Sequence, residues 1–259
     1  MDNSLYEMIF KRKSFHVFEN VGNEKITEGE LTDILSAYRE FTPLDPAIRT
    51  AIRIVPGEET DCGRGEEYCV LLYSEKKDGY LRNIGYLGEQ LDLYLAGKNI
   101  GALWYGLGRK AAEPFDDMKF VIMIAIRKMS DDSAFRRGAK GIDRKPTDEI
   151  WQGPEIDGVS DVIGLAPSAR NSQPWFVLSD GGLSVYRRLS YEKMGTMPPE
   201  RVAFLNRIDA GIFLCFLDIC LNNHNIAFER KLFRDDGEEC ELTLNAVYKI
   251  ALPDPDSAR

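Results

Sequence analysis

The run Ala166-Pro167-Ser168-Ala169-Arg170-Asn171-Ser172-Gln173-Pro174-Trp175 gathers the groups in this chain best suited to holding a flat ligand. Small side chains at Ser168 and Ala169 let a planar ring lie against the backbone. Ser168 and Asn171 offer hydrogen bonds of both polarities. Pro167 and Pro174 restrict the shape of the loop, and Trp175 opens an aromatic stretch of strand character. A second group lies near the start, in Met8-Ile9-Phe10-Lys11-Arg12-Lys13-Ser14-Phe15-His16. Taken alone, Lys11-Arg12-Lys13 reads as a solvated basic patch.

These residues need elements to position them. Thr27 and Glu30 have capping-box spacing and predict a helix to about Tyr38. Residues 67–74, rich in Tyr, Val and Leu, read as a strand, and residues 83–99 as a helix ending near Gly101. The unbroken apolar run at 119–127 predicts a buried strand. A short helix should precede Ala166. Trp175–Leu178 and Leu183–Arg187 flank Gly181-Gly182 as a hairpin. Residues 200–224 carry a long helix, strongly apolar from Ala210 to Leu221, and 242–252 a last strand. Alternating helices and strands predict a layered α+β fold.

Composition narrows the functional classes. The 259 residues can build one large core or two modest ones. A net charge of −9 argues against nonspecific nucleic-acid binding. No apolar run is long enough to cross a bilayer, and no signal-peptide core is evident. Five cysteines without a CxxC pair suggest free thiols and a cytoplasmic location. With only His16 and His224, a histidine-based metal site is not expected.

The loop at 166–175 closely resembles the cofactor loop of the nitroreductase family of flavoenzymes, and Met8–His16 resembles that family's N-terminal signature. The resemblance implies that Arg12 and Ser14 bind the phosphate and ribityl chain of FMN, since a guanidinium makes paired, charge-assisted bonds to phosphate oxygens. It places Pro167, Ser168, Ala169 and Asn171 against the flavin ring or ribityl chain. Lys13 or His16 would favour the reduced, anionic ring. His16 stands where Lys or Arg is commoner in the family. Tyr105 and Gly106 match the family's strand end beside the reactive edge of the flavin; they read equally as a Gly-containing turn beside an aromatic strand residue. Trp104 reads as core. Arg144, two positions before Pro146, matches an Arg that returns to the flavin phosphate, with Lys140 and Lys145 near enough to substitute. No side chain is assigned as a proton-transferring catalyst, because the cofactor carries the chemistry.

In that family the loop usually lies near the N-terminus, whereas here it begins at residue 166. A repeat would account for the displacement. At an offset of 126 residues, Gly85 matches Gly211, Leu91 Leu217, Asp92 Asp218, Leu95 Leu221, Asn99 Asn225, Ile100 Ile226, Val121 Val247, Ile124 Ile250 and Ala125 Ala251. Family members are typically homodimers with FMN at the subunit interface. The chain therefore reads as two nitroreductase-like halves, 1–145 and 146–259, forming a pseudo-dimer within one monomer. Arg12 and Ser14 from the first half and Pro167–Asn171 from the second would make one composite site, hence one FMN per chain. The implied activity is an FMN-dependent NAD(P)H oxidoreductase that reduces a small flat acceptor (nitroaromatic, quinone or enone) by a ping-pong route. The alternative is a flavin-binding or sensing protein with little turnover. The segment Leu189–Arg201 reads as a surface loop that also suits an acceptor pocket.

Overall fold

Two long helices, α3 (Tyr80–Gly97) and α5 (Pro199–Asn223), pack against one another and are buried along most of their length. A Cβ at Gly85 would overlap the Ile208 carbonyl oxygen, and one at Gly211 would overlap the Arg82 carbonyl oxygen. Only hydrogen at these two positions lets the backbones approach so closely. The contact is reciprocal at one spacing: 211 less 85, and 208 less 82, are both 126. The computed structural model describes residues 4–19, 21–106, 108, 114–191, 193–235 and 240–250.

Around the helix pair lie two sheets. The first has strand order β1-β2-β4-β3, built from β1 (Thr50–Pro56), β2 (Tyr68–Ser74), β3 (Ile100–Tyr105) and β4 (Lys119–Lys128), all antiparallel. The second has order β5-β6-β7-β9-β8. Its strands are β5 (Trp151–Gln152), β6 (Trp175–Ser179), β7 (Leu183–Arg188), β8 (Phe228–Leu232) and β9 (Leu242–Ile250), with only β5–β6 parallel. The shorter helices are α1 (Ser4–Lys11), α2 (Glu28–Glu40) and α4 (Thr147–Ile150). This is the layered α+β architecture that the alternation of helices and strands predicts.

Local chemistry explains the elements. Thr27 and Glu30 form the full capping box ahead of α2, an arrangement whose loss typically costs about 1 kcal/mol. α1 buries Leu5 and Ile9 and packs on α3. β4 is central in its sheet, so its apolar run from Val121 to Ile126 is buried. β6 and β7 form the hairpin across Gly181-Gly182.

Several expected boundaries move. α3 begins three residues early because Gly79, in the left-handed region at φ 76°, caps it without a polar side chain to announce it. It ends at Gly97, and the chain turns at Asn99 (φ 57°) instead of Gly101. The helix expected before Ala166 is a single 3-10 turn, Ile163–Leu165. The last strand is described to Ile250; residues 251 and 252 of the expectation, with Ala251 of the repeat, lie outside the described residues. β1 and β8 escaped the sequence pattern. Each is a sheet edge, where one-sided pairing tolerates charges such as Arg53 and Glu229.

Candidate functional site

Beyond α1 the chain runs along β3. Phe15 N–H donates to Ala102 O across 3.0 Å, and Ser14 pairs with Ala102 in parallel register. This carries Ser14 and His16 to the mouth of a cavity of about 380 Å³. Leu103, Trp104 and Tyr105 of β3, with Gly106 and Ile122, also line it. Opposite stand Pro167, Ser168 and Ala169, and residues Leu205, Ile208, Asp209 and Ile212 of α5 close one wall. The walls are largely apolar with a few polar groups, a common plan for a planar cofactor.

The loop owes its shape to an unusual backbone. Arg170, Asn171 and Gln173 have φ of 50°, 56° and 47°. Left-handed non-glycine residues each cost on the order of 1–3 kcal/mol and persist only where surroundings over-determine them. Four hydrogen bonds do so here. Ala169 N–H donates to Asp209 Oδ1 at 3.0 Å and Gln173 N–H to Ser168 Oγ at 2.9 Å. Lys145 N–H donates to Gln173 Oε1 at 2.8 Å, and Arg144 Nη1 to Asn171 Oδ1 at 2.7 Å.

Arg12 does not line the cavity. It is buried beneath it, with Nη2 3.1 Å from Asp92 Oδ2 and Nε 3.9 Å from Glu89 Oε1. None of its three guanidinium nitrogens makes a well-aligned hydrogen bond. Arg136 Nη1 and Arg144 Nε are buried and orphaned as well. Burial lowers the pKa of Arg136 to about 10, helped by the charge of Arg12. Burial also lowers Arg144 to about 10, helped by Arg136 and Arg12. Three mutually repelling guanidiniums with unused N–H groups are what a dianionic phosphate would satisfy. The residues present therefore fit the phosphate of FMN.

Glu89 and Asp92 lie under the same cluster. Burial pushes both carboxyls above the usual carboxylate range, and Arg12 opposes the shift in each. Asp92 Oδ2 also accepts the indole N–H of Trp104 at 3.1 Å. Trp104 packs against the core, as expected, and also forms a wall of the cavity, where Asp92 braces it.

Of the residues singled out in the sequence, the cavity brings together Ser14, His16, Tyr105, Gly106, Pro167, Ser168 and Ala169. Arg12, Arg144 and Asn171 sit behind it in the arginine network. Asn171 Nδ2 turns to Asp143 O at 3.0 Å, so this side chain buttresses the loop instead of facing the cavity. Lys13 points away, donating to Ala134 O at 3.1 Å over the Phe15 ring. Tyr105 reaches Asp61 O at 3.3 Å through its hydroxyl. Met197, from the expected surface loop, joins the cavity wall. Sequence reasoning passed over Arg64, Arg136, Arg170 and Asp209. The first three stand in charged or turn-rich segments without periodicity. Asp209, like Asp218, is a carboxylate inside the apolar stretch of α5, and that was the available signal.

Over 95% of this chain and 93% of its own length, a "putative nitroreductase" from Thermotoga maritima MSB8 superposes with a TM-score of 0.59 at 18% identity, which defines the fold class. A "putative nitroreductase" from Desulfovibrio desulfuricans, solved in complex with FMN, covers 60% of this chain and 100% of its own at 15% identity and a TM-score of 0.41. The family described as "Putative TM nitroreductase" matches residues 4–220, and the chain belongs to it. No curated protein matches the sequence. Among the described residues, no helix is long and apolar enough to cross a membrane.

Proposed function

We propose that the protein is an FMN-dependent oxidoreductase that takes reducing equivalents from NADH or NADPH and passes them to a small flat acceptor in a ping-pong cycle. The observation that carries this reading is the convergence of Arg12, Arg136 and Arg144, with orphaned N–H groups, behind a cavity walled by Ser14 and the Pro167–Ala169 turn. Bound FMN supplies the redox-active ring. The chain holds its phosphate on the arginines, adds hydroxyl donors from Ser14 and Ser168, and presents the backbone of Tyr105-Gly106 along the cavity wall. Trp104, Ile122, Ile208 and Ile212 keep water from the ring faces.

The reciprocal contact of Gly85 and Gly211 supports a pseudo-dimer made within one chain, with halves at 1–145 and 146–259. In this reading the protein is a monomer with one FMN. The arginine cluster belongs to one interface only, while Asp218, in the position matching Asp92, is occupied by Arg230, Tyr86 and Tyr248.

The test begins with a visible spectrum of the purified protein after incubation with FMN, which should show bound oxidised flavin. Anaerobic addition of NADH or NADPH should then bleach it within the mixing time of a turnover assay. A protein that stays colourless with FMN refutes the reading. A yellow protein that neither nucleotide bleaches leaves a flavin binder without this activity.

A further inference from the structure

Asp209 is buried in α5 and borders the cavity. Its Oδ1 accepts the Ala169 N–H, and its Oδ2 meets no hydrogen-bond partner. Among the described residues no cation pairs with it. A buried carboxylate with one unmet oxygen and no counter-ion is costly, so the group keeps its proton. The corresponding point in the first half shows the same arrangement in a residue that is always neutral. Asn83, 126 positions earlier, accepts the Asp45 N–H at 3.0 Å through Oδ1 and leaves Nδ2 unpartnered. A protonated aspartate reproduces that pattern: one oxygen accepts a loop N–H, and the other carries a donor hydrogen.

We propose that Asp209 is a neutral carboxylic acid that donates its proton as a hydrogen bond to the planar ligand in the cavity, so the ligand presents a carbonyl oxygen or an unprotonated ring nitrogen there. For FMN, which this assignment takes from the proposed function, the isoalloxazine edge offers both kinds of acceptor. Burial raises the Asp209 pKa to about 8, with the Ala169 N–H opposing the shift. The other titratable or charged groups on the same cavity are His16, Arg64, Tyr105 and Arg170. On α3, Arg82 is turned to Asn245, and on α5 itself Arg207 is turned to Asp235 O.

The donor is present below about pH 8 and disappears above it, so ligand affinity should be level at lower pH and fall as the carboxyl ionises. The test is FMN titration by fluorescence quenching from pH 6.5 to 9.5 on the full chain, the Asp209→Asn variant and the Asp209→Ala variant. Wild type should weaken by roughly ten-fold per pH unit above about 8, one proton being linked to binding. Asp209→Asn keeps an acceptor and a donor, and should bind like wild type at pH 6.5 with no such fall. Asp209→Ala should bind about ten-fold more weakly at pH 6.5, the usual cost of one lost buried donor. The infrared C=O band of a protonated carboxyl should also shift on FMN binding in wild type and be missing from the Asp209→Asn difference spectrum. Parallel pH profiles for wild type and Asp209→Asn, or an unshifted carboxyl band, overturn the assignment and leave the flavin reading standing. Failure of wild type to bind FMN at any pH overturns the flavin reading and the assignment with it. Should Asp209→Ala not fold, the Asp209→Asn profile and the infrared band still decide.

Discussion

Arg144 donates to Asn171 Oδ1 across 2.7 Å and so ties the segment ahead of α4 to the strained loop. One bond therefore serves two ends: it fixes a left-handed residue, and it aims a guanidinium whose Nε has no partner. Replacing Asn171 with Ala should weaken FMN retention by about 1–3 kcal/mol through the freed Arg144. In a double-mutant cycle with Arg144→Gln, the two losses should fall short of adding. Additive losses, measured by FMN titration, would show that Asn171 meets the flavin independently of Arg144.

Arg12 carries two burdens at once. Its removal leaves Glu89 and Asp92 without the cation paired with them, which should destabilise the fold by about 3–5 kcal/mol in urea unfolding. Arg12→Ala should also lose most FMN binding, because in the proposed site this cluster alone clamps the phosphate. Full FMN occupancy in a folded Arg12→Ala protein would falsify the clamp.

Arg136 separates those two roles. It lies against the cluster without sharing the Arg12–Asp92 ion pair. Arg136→Gln should lower FMN affinity by about 1.5–3 kcal/mol, the range for a bond to a charged group. Stability of the cofactor-free protein should stay level or rise, since repulsion from Arg12 is relieved. A stability loss without an affinity loss would make Arg136 a purely structural residue.

Asp209 should leave a signature in pH-dependent stability. The carboxyl titrates at about 8 when folded and near ~3.9 when unfolded. Between those values the native state holds one more proton than the unfolded chain. Its contribution is full below the unfolded value and is lost as pH rises towards about 8. Chemical denaturation across this range should show a decline in wild type that Asp209→Asn flattens. Equal slopes in both proteins would place the titration elsewhere.

Light scattering and flavin quantitation on one sample test the internal pseudo-dimer. The expected result is a single chain with one FMN. Gly85→Ala and Gly211→Ala should each destabilise strongly, by more than about 3 kcal/mol, because the added carbon meets backbone oxygen that has nowhere to go. Tolerance of either substitution would mean that the helices have room to separate.

The sequence made the loop legible because its rules are local. Two prolines, small residues and Asn171 announce a constrained turn on their own. The long helices and β4 were legible from apolar runs, and Gly85 with Gly211 from their shared offset. Arg136 was not, because in a charged connecting segment one arginine looks like any other, and only tertiary packing turns it inward. The cavity role of Trp104 was hidden for a related reason: it packs against the core and also lines the cavity, and hydrophobicity cannot separate the two. Left-handed backbone at Arg170 was hidden as well, since nothing in an arginine's type predicts a φ of 50°.

The mutual burial of α3 and α5 also sets an order of events during synthesis. α3 is complete at Gly97, but the helix that covers it starts at Pro199. At ribosomal speeds of about 5–20 residues per second, that interval of about 100 residues lasts roughly 5–20 s. Through it the nascent chain lacks the helix that covers one face of α3. A fragment ending before Pro199 would keep that apolar face exposed and so be prone to aggregate.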